Sequence, residues 1–129
     1  MKAALLVSLF CFVSIEASAE MDAKTLLKTY DVAASKDKEI VLFTLSRTQN
    51  GMSWANSALR TQRKEDPLYC VPSNVVLTGE QIVDILRRHL KEDPSAEEVP
   101  YGLVMLLALQ KTFPCNGAGK SCAPALEGK

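Results

Sequence analysis

Apolar residues recur along this chain three or four residues apart, and no stretch alternates with the period of two that is typical of a strand. The first helix is predicted from Asp22 to about Ala34, and the second from about Lys38 to Gln62. The second helix carries an apolar seam spaced alternately by four and three residues: Val41, Leu45, Thr48, Met52, Ala55 and Leu59. Gly51 interrupts this helix at a cost of about 1 kcal/mol relative to alanine. We therefore expect a neighbouring helix to approach closely at Gly51, or the helix to kink there.

The third helix is predicted to begin after Thr78, which forms a capping box with Gln81, and to end before Pro94. The fourth helix is predicted to begin between Glu97 and Pro100 and to end at Pro114. Together these segments predict an all-α fold, a small disulfide-stapled bundle of four to five helices.

The fourth helix carries no charge from Val99 to Gln110. It is too apolar on all sides for a surface helix and too short to span a membrane. It is therefore either the central helix of the bundle or half of a homodimer interface. Because this uncharged surface exceeds what a four-helix monomer easily covers, we predict a homodimer.

The N-terminal residues 1–19 have the composition of a cleavable signal peptide. Lys2 provides a positive start, Ala3 to Ile15 is an apolar run, and Ala17-Ser18-Ala19 is a small-x-small cleavage pattern. The exported chain is then expected to begin at Glu20, with a helical domain at residues 20–115 and a flexible tail rich in Gly, Ala, Pro and Lys at residues 116–129. We predict a periplasmic protein without a membrane anchor.

The charge balance argues against nucleic-acid binding, because 15 basic residues face 15 acidic ones and the net charge is zero. No catalytic constellation is evident. His89 lies on the apolar face of the third helix, where a hydrogen-bonded histidine at the core boundary is the simplest interpretation. The cysteines and His89 lack the short paired spacing of a zinc site, so no metal and no cofactor is predicted.

Three cysteines follow the predicted signal peptide, and an exported protein can oxidise a pair of them. Cys70 and Cys115 each lie at the edge of a helical segment beside a proline. A bond between them would close a loop of about 45 residues, worth about 4 kcal/mol in the chain-entropy model. We favour this pair, with Cys70–Cys122 as the alternative; Cys122 is otherwise an odd thiol in the tail.

Two places are candidates for binding a protein partner. The loop between helices three and four is anchored by Pro94 and Pro100, and loops held by rigid elements are where binding residues concentrate. Its candidate residues are four acidic ones and a serine small enough to enter a cleft or to cap helix four: Glu92, Asp93, Ser95, Glu97 and Glu98. The second place is Trp54 and Asn56, which are interpreted first as core residues and second as partner contacts.

A set of short motifs from Gly51 onward links the chain to a known family. They are Gly51-Met52-Ser53-Trp54-Ala55-Asn56, Leu68-Tyr69-Cys70-Val71-Pro72, Leu77-Thr78 with Gln81-Ile82 and Ile85-Leu86, Pro94, Pro100-Tyr101-Gly102, Ala108-Leu109 and Phe113-Pro114-Cys115. In these residues the chain resembles the type VI amidase immunity family, also called Tai or resistance-associated (Rap) immunity proteins. The resemblance implies an all-helical periplasmic protein with a Cys70–Cys115 disulfide and no enzymatic activity. Many relatives carry a second cysteine pair, at positions that match Tyr30 and Leu45 here.

The resemblance implies that the protein binds a cell-wall-degrading amidase and blocks its active site, the amidase being a toxin delivered by a type VI secretion system. The alternative hypothesis is a periplasmic acid-stress chaperone similar in size and disulfide use to HdeA-like proteins. A chaperone switch favours many titratable groups at apolar interfaces, and the fourth helix has none.

Overall fold

The four predicted helices are present in the computed structural model, which describes residues 20–115. They are α1 (Ala23–Val32), α2 (Ser35–Ala58), α3 (Gly79–Glu92) and α4 (Tyr101–Thr112). A π-helical turn, Leu59–Arg63, extends α2, and a 3-10 turn, Pro94–Glu98, lies between α3 and α4. Within residues 20–115 no strand is formed beyond one isolated bridge, so the all-α prediction is confirmed. The predicted signal peptide, the predicted tail and Cys122 lie outside the described residues.

Two helix starts follow directly from local sequence. Asp22 caps α1 by accepting hydrogen bonds from the Thr25 backbone N–H at 2.7 Å and from its hydroxyl at 2.9 Å. Thr78 and Gln81 form the predicted capping box, with the Thr78 N–H donating to Gln81 Oε1 at 2.9 Å and the Gln81 N–H donating to Thr78 Oγ1 at 3.3 Å. Each cap of this kind stabilises a helix by about 1 kcal/mol.

Helices α3 and α4 supply most of the buried core. The largest fully buried side chains are aliphatic residues and one methionine: Leu45, Ile82, Leu86, Met105, Leu109, Val83 and Val104. Burying a side chain of this size contributes about 1.5–3 kcal/mol. The interpretation of α4 as the central helix is therefore supported, since Val104, Met105, Ala108 and Leu109 are all buried.

The predicted disulfide is confirmed. Cys70 and Cys115 are bonded, with their Cα atoms 5.1 Å apart. The Cys70 N–H also donates a 2.8 Å hydrogen bond to the Phe113 carbonyl. The bridge and this hydrogen bond together fix the segment that leads into α3 against the end of α4.

The N-terminal residues of the described chain pair with the start of α4. Ala23 N–H donates to the Val99 carbonyl and Tyr101 N–H donates to the Met21 carbonyl, each at 3.0 Å. Glu20 Oε1 accepts a 3.0 Å hydrogen bond from the Gly102 N–H in the first turn of α4. Helix α4 begins at Tyr101, after the boundary predicted from sequence, because Pro94–Glu98 form their own 3-10 turn.

In helix α2, the exposure of several residues differs from the sequence prediction. Of the predicted seam, Leu45 is buried and Ala55 is exposed. No atom outside the immediate chain lies within 4 Å of the place where a Cβ of Gly51 would stand, and the helix continues through that residue. The expectation that a neighbouring helix of this chain approaches Gly51 closely is therefore wrong. The core interpretation of Trp54 is also wrong, since Trp54 is 67% exposed.

Candidate functional site

The connection between α3 and α4 is an ordered turn rather than an irregular loop. Asp93 caps the 3-10 turn by accepting hydrogen bonds from the Ser95 hydroxyl at 2.5 Å and the Ser95 N–H at 3.2 Å. These bonds, the hydroxyl first, hold the pKa of Asp93 below its ordinary value. Ala96 packs into the core beneath the turn. Ser95 therefore stabilises this turn through Asp93, and the prediction that it caps helix four is wrong.

Two ion pairs tie the turn to the helices on either side. Glu97 contacts Lys24 of α1 at 2.7 Å, and this hydrogen bond raises the pKa of Lys24. Glu92, at the end of α3, contacts Lys111 of α4 at 2.5 Å, and that hydrogen bond lowers the pKa of Glu92. Glu98 is exposed and forms no hydrogen bond or ion pair with any described residue. The turn is accordingly less anionic than its four acidic residues indicated.

Each of the two ion pairs lies at the rim of a cleft. A cleft of about 260 Å³ between α3 and α4 is lined by His89, Glu92 and Lys111, among others. A cleft of about 390 Å³ between α1 and α3 is lined by Lys24, Leu27 and Glu97, among others. The turn thus stands between two concave surfaces, which is a geometry suited to contact with another macromolecule.

Trp54 and Asn56, which the sequence placed in one candidate site, have different structural roles. The Asn56 amide group donates to the Tyr69 carbonyl at 2.9 Å and accepts from the Leu68 N–H at 2.7 Å. Asn56 therefore holds the extended segment that carries Cys70. Trp54 points away from the core on the opposite side of α2 and remains available for contact with a partner.

The chemistry that would indicate an enzyme is not assembled within residues 20–115. Both cysteines of this range, Cys70 and Cys115, are bonded to each other, so neither is a free thiol. His89 is half-buried beside α4, and neither ring nitrogen has a hydrogen-bond partner among the described residues. The prediction of a hydrogen-bonded histidine is therefore wrong. In the same range no group of His, Cys, Asp and Glu is arranged to hold a metal ion.

None of the helices described here has both the length and the apolar character needed to cross a membrane. Exposed apolar residues are nevertheless present on two helices. On α4, Leu103 and Leu107 are 50% and 41% exposed and lie one turn apart. On α2, Ile40, Phe43 and Trp54 are 58%, 59% and 67% exposed.

Sequence analysis did not single out Ile40 and Phe43, although a signal for them was present. Ile40, Phe43, Arg47 and Trp54 are separated by three, four and seven residues, which is a second helical seam interleaved with the one that was identified. The Arg47 guanidinium lies over the Phe43 ring, 4.7 Å from its centroid. Three large apolar side chains, Ile40, Phe43 and Trp54, are thus exposed along this outer face of α2.

Comparison with known protein families gives a match to this chain. A family model described as Rap1a immunity proteins matches residues 10–115. No curated protein and no solved structure gives a significant match to the chain. Immunity families generally consist of non-enzymatic proteins that bind a protein effector. The match covers most of the chain, including every helix described above, and the chain accordingly belongs to the Rap1a immunity protein family.

Proposed function

We propose that this protein is a periplasmic immunity protein that binds an amidase effector delivered by a type VI secretion system and blocks its active site. The observation that carries the proposal is the match to the Rap1a immunity family over residues 10–115. The amidase specificity rests on the residues that resemble the amidase immunity proteins, and the periplasmic location rests on the signal-like composition of residues 1–19.

An inhibitor of this kind needs a surface whose shape does not change on binding, because ordering a flexible loop reduces the affinity. The 3-10 turn meets this requirement. Its Ala96 is buried, its backbone is fixed by Asp93, and its flanks are held by Glu92 and Glu97. The Cys70–Cys115 bridge fixes α4 at its opposite end.

We place the effector contact on the exposed part of this turn, at Asp93, Pro94, Ser95 and Glu98. Ser95 is a small side chain next to a proline, so a narrow groove in an enzyme can accept this part of the turn. Glu98 carries the carboxylate of the turn that forms no hydrogen bond or ion pair within 4 Å in the described chain, although its charge also acts on Lys24. Its charge would speed encounter with a basic groove more than it would tighten the complex.

The acid-stress chaperone remains the alternative hypothesis. Among residues 20–115 no charged side chain is buried, Tyr69 is a buried titratable group, and His89 is half-buried beside α4. This arrangement does not provide the many titratable interfacial groups that such a switch favours. We therefore keep immunity as the proposed function.

The proposal is tested by titrating the purified exported chain against purified type VI amidase effectors and measuring the hydrolysis of peptidoglycan peptides. A cognate effector should be inhibited at a stoichiometric ratio. Glu98→Lys should weaken inhibition, on the order of tenfold for about 1.4 kcal/mol of lost binding free energy. Ser95 and Glu97 are left unchanged, because replacing them would also break their contacts with Asp93 and Lys24.

Glu80→Lys is the matched control, because it makes the same charge change at the opposite end of α3, about 18 Å from Glu92. This control should inhibit as well as the natural sequence. If no amidase effector is inhibited, the proposed function is wrong. If one is inhibited equally by all the variants, the function stands and the turn is not the contact surface.

A further inference from the structure

The cleft of about 390 Å³ between α1 and α3 combines an apolar floor with lysines on both walls. Leu27 of α1 and Leu90 of α3 line it and are each 8% exposed, so they form its floor. Lys28 lines the α1 wall and Lys91 the α3 wall, and both lysines are exposed. We call the groove formed by Leu27, Lys28, Leu90 and Lys91 the lysine cleft.

An ion pair across each end of the lysine cleft balances the charges there. At the end beside the 3-10 turn, Lys24 contacts Glu97 at 2.7 Å. At the other end, Arg87 of α3 pairs with Asp31 of α1. Lys24 and Asp31 are about 10 Å apart along α1, and Lys28 lies between them. The two ion pairs therefore leave the middle of the cleft to the lysines.

The charges in the middle of the lysine cleft are not balanced by the described chain. Neither Lys28 nor Lys91 forms a hydrogen bond or an ion pair with a described residue. Four positive and two negative residues line the cleft, which leaves an excess of two positive charges. The whole chain, by contrast, has no net charge. Like charges on facing walls repel each other, and an anion placed between them converts this repulsion into attraction.

We propose that the lysine cleft binds an acidic segment of the protein partner, with the carboxylate of a glutamate or aspartate held between Lys28 and Lys91. The axes of packed helices are about 8–10 Å apart, so two lysines with four-carbon stems on facing helices reach one carboxylate. The apolar floor at Leu27 and Leu90 accepts the methylene groups of a glutamate or a neighbouring apolar side chain.

Charge complementarity decides the kind of occupant. A basic segment is repelled by Lys28 and Lys91, and an uncharged one leaves their charges uncompensated. A nucleic acid fits less well than an acidic protein segment, because its binding sites carry an extended basic stripe and this cleft has an excess of two charges with an apolar floor.

The position of the lysine cleft extends the contact surface proposed for the effector. Glu97 belongs to the 3-10 turn and also lines the cleft, so a partner seated on the turn covers the cleft as well. Glu98 makes the turn negative, and Lys28 with Lys91 makes the adjacent cleft positive. The matching effector therefore presents a basic groove with an acidic side chain beside it.

This alternation of charge fixes the orientation of the complex and disfavours partners with the reverse order. The inference rests on the proposed function only in identifying the partner as the amidase effector. The acidic occupant follows from the cleft itself.

A peptide titration followed by NMR tests the occupant without an effector. The probe is a short peptide of two glutamates and one leucine, capped at both ends, and its glutamine analogue is the uncharged control. At low salt the glutamate peptide should shift the methyl signals of Leu27 and Leu90 in a saturable manner, with a dissociation constant in the millimolar range. The signals of Leu103 and Leu107, on the exposed side of α4, should not move.

Lys28→Gln combined with Lys91→Gln should weaken binding of the glutamate peptide at least about tenfold. Both lysines are exposed and have no contact to lose, so the melting temperature should stay the same. The matched control is Lys36→Gln with Lys64→Gln, which removes the same charge from two exposed positions outside the cleft. This control should bind the peptide as the natural sequence does.

The second measurement uses an amidase effector that the protein inhibits. The Lys28→Gln, Lys91→Gln variant should associate with it about tenfold more slowly, and its association rate should depend less on salt than that of the natural sequence. The Lys36→Gln, Lys64→Gln variant should associate as fast as the natural sequence.

The proposal is overturned if the glutamate peptide leaves the signals of Leu27 and Leu90 unmoved. It is also overturned if the glutamine peptide, or an oligothymidylate at the same charge concentration, shifts them as strongly. Equal losses in the two double variants would show an effect of net charge alone and would overturn it too.

The two arms separate this inference from the proposed function. If the glutamate peptide binds the lysine cleft and no amidase effector is inhibited, the inference stands and the proposed function is wrong. If an effector is inhibited and its association is unchanged by Lys28→Gln with Lys91→Gln, the proposed function stands and the lysine cleft is not part of the interface.

Discussion

The side-chain amide of Asn56 donates a 2.9 Å hydrogen bond to the backbone carbonyl of Tyr69. Its carbonyl oxygen accepts a second hydrogen bond, 2.7 Å long, from the N–H of the preceding residue, Leu68. One side chain of α2 thus satisfies two backbone groups of an extended segment that has no regular structure of its own. Cys70, the next residue, is consequently held where Cys115 can reach it.

Asn56→Ala should lower the free energy of unfolding by about 1–3 kcal/mol, because it removes the hydrogen bonds to the half-buried Tyr69 carbonyl and to the exposed Leu68 N–H. Urea unfolding with the disulfide intact measures this change. Asn50→Ala is the matched control, since Asn50 is exposed on the same helix and has no partner among the described residues. Equal stability of the two variants would contradict the role assigned to Asn56.

Cys70→Ser should lower the free energy of unfolding by roughly 2–5 kcal/mol, because it removes a crosslink that closes a loop of 45 residues. Cys115→Ser and the double variant should lose the same amount, since all three lack the same bond. Denaturant unfolding gives the energies, and alkylation of the native protein without reductant should modify neither thiol. Alkylation of both Cys70 and Cys115, in addition to Cys122, in the natural exported protein would show that the bridge is absent in solution.

Lowering the pH should reduce the free energy of unfolding, in part because the Asp22 carboxyl becomes protonated. Hydrogen bonds from the Thr25 N–H and then its hydroxyl hold the pKa of Asp22 below its ordinary value of 3.8. The stabilisation from a carboxyl with a lowered pKa is complete above the ordinary value and is lost as the pH falls through the pKa in the folded protein.

Asp22→Asn keeps an acceptor oxygen for the cap but cannot titrate. Its free energy of unfolding should therefore fall less than that of the natural protein between about pH 4 and about pH 2. Urea unfolding across this range measures the slope. Asp66→Asn, at an exposed position without a partner in residues 20–115, should not reproduce the effect. Identical slopes for Asp22→Asn and the natural protein would show that the cap does not contribute to acid sensitivity.

His89→Leu should leave the free energy of unfolding unchanged or raise it by up to about 1 kcal/mol. The reason is that the two ring nitrogens of His89 are shielded from solvent without a hydrogen bond among the described residues, so an apolar side chain loses nothing there. Leu90→Ala, at the buried neighbouring position, should by contrast cost about 2–5 kcal/mol. A large loss for His89→Leu would reveal a hydrogen bond that His89 makes in solution.

Features set by neighbouring residues were predictable from sequence. The capping box of Thr78 and Gln81 is one example, because its donors and acceptors lie three residues apart. The Cys70–Cys115 bridge joins residues 45 apart, and it was predictable for a different reason, because only three cysteines follow residue 19 and few pairings are possible. The number of helices followed from periodicity.

Polar contacts between distant residues were not predictable. The ion pair of Lys24 with Glu97 and the cap that Glu20 provides at Gly102 join opposite ends of the domain, and nothing local indicates either. These contacts determine how α4 begins and how much charge the neighbouring turn presents. The pairing of Glu97 with Lys24 could therefore not be seen from the acidic residues of the loop alone.

The face of α2 that is buried was ambiguous in the sequence. Two interleaved seams run along this helix, one through Leu45 and one through Phe43, and periodicity alone does not distinguish the inner from the outer. Trp54 was assigned to the core because large aromatic residues are usually well buried. The structure places the seam that contains Phe43 and Trp54 on the exposed side of the helix.

The most direct test of the immunity proposal measures survival of cells that receive a type VI amidase effector in the periplasm. Cells that also make this protein with its residues 1–19 should survive and keep intact walls. Cells that make the same protein without residues 2–19 should lyse, because the inhibitor and the effector are then in different compartments. Lysis of both, with each of a panel of type VI amidase effectors, would contradict the proposal that this protein is an amidase immunity protein.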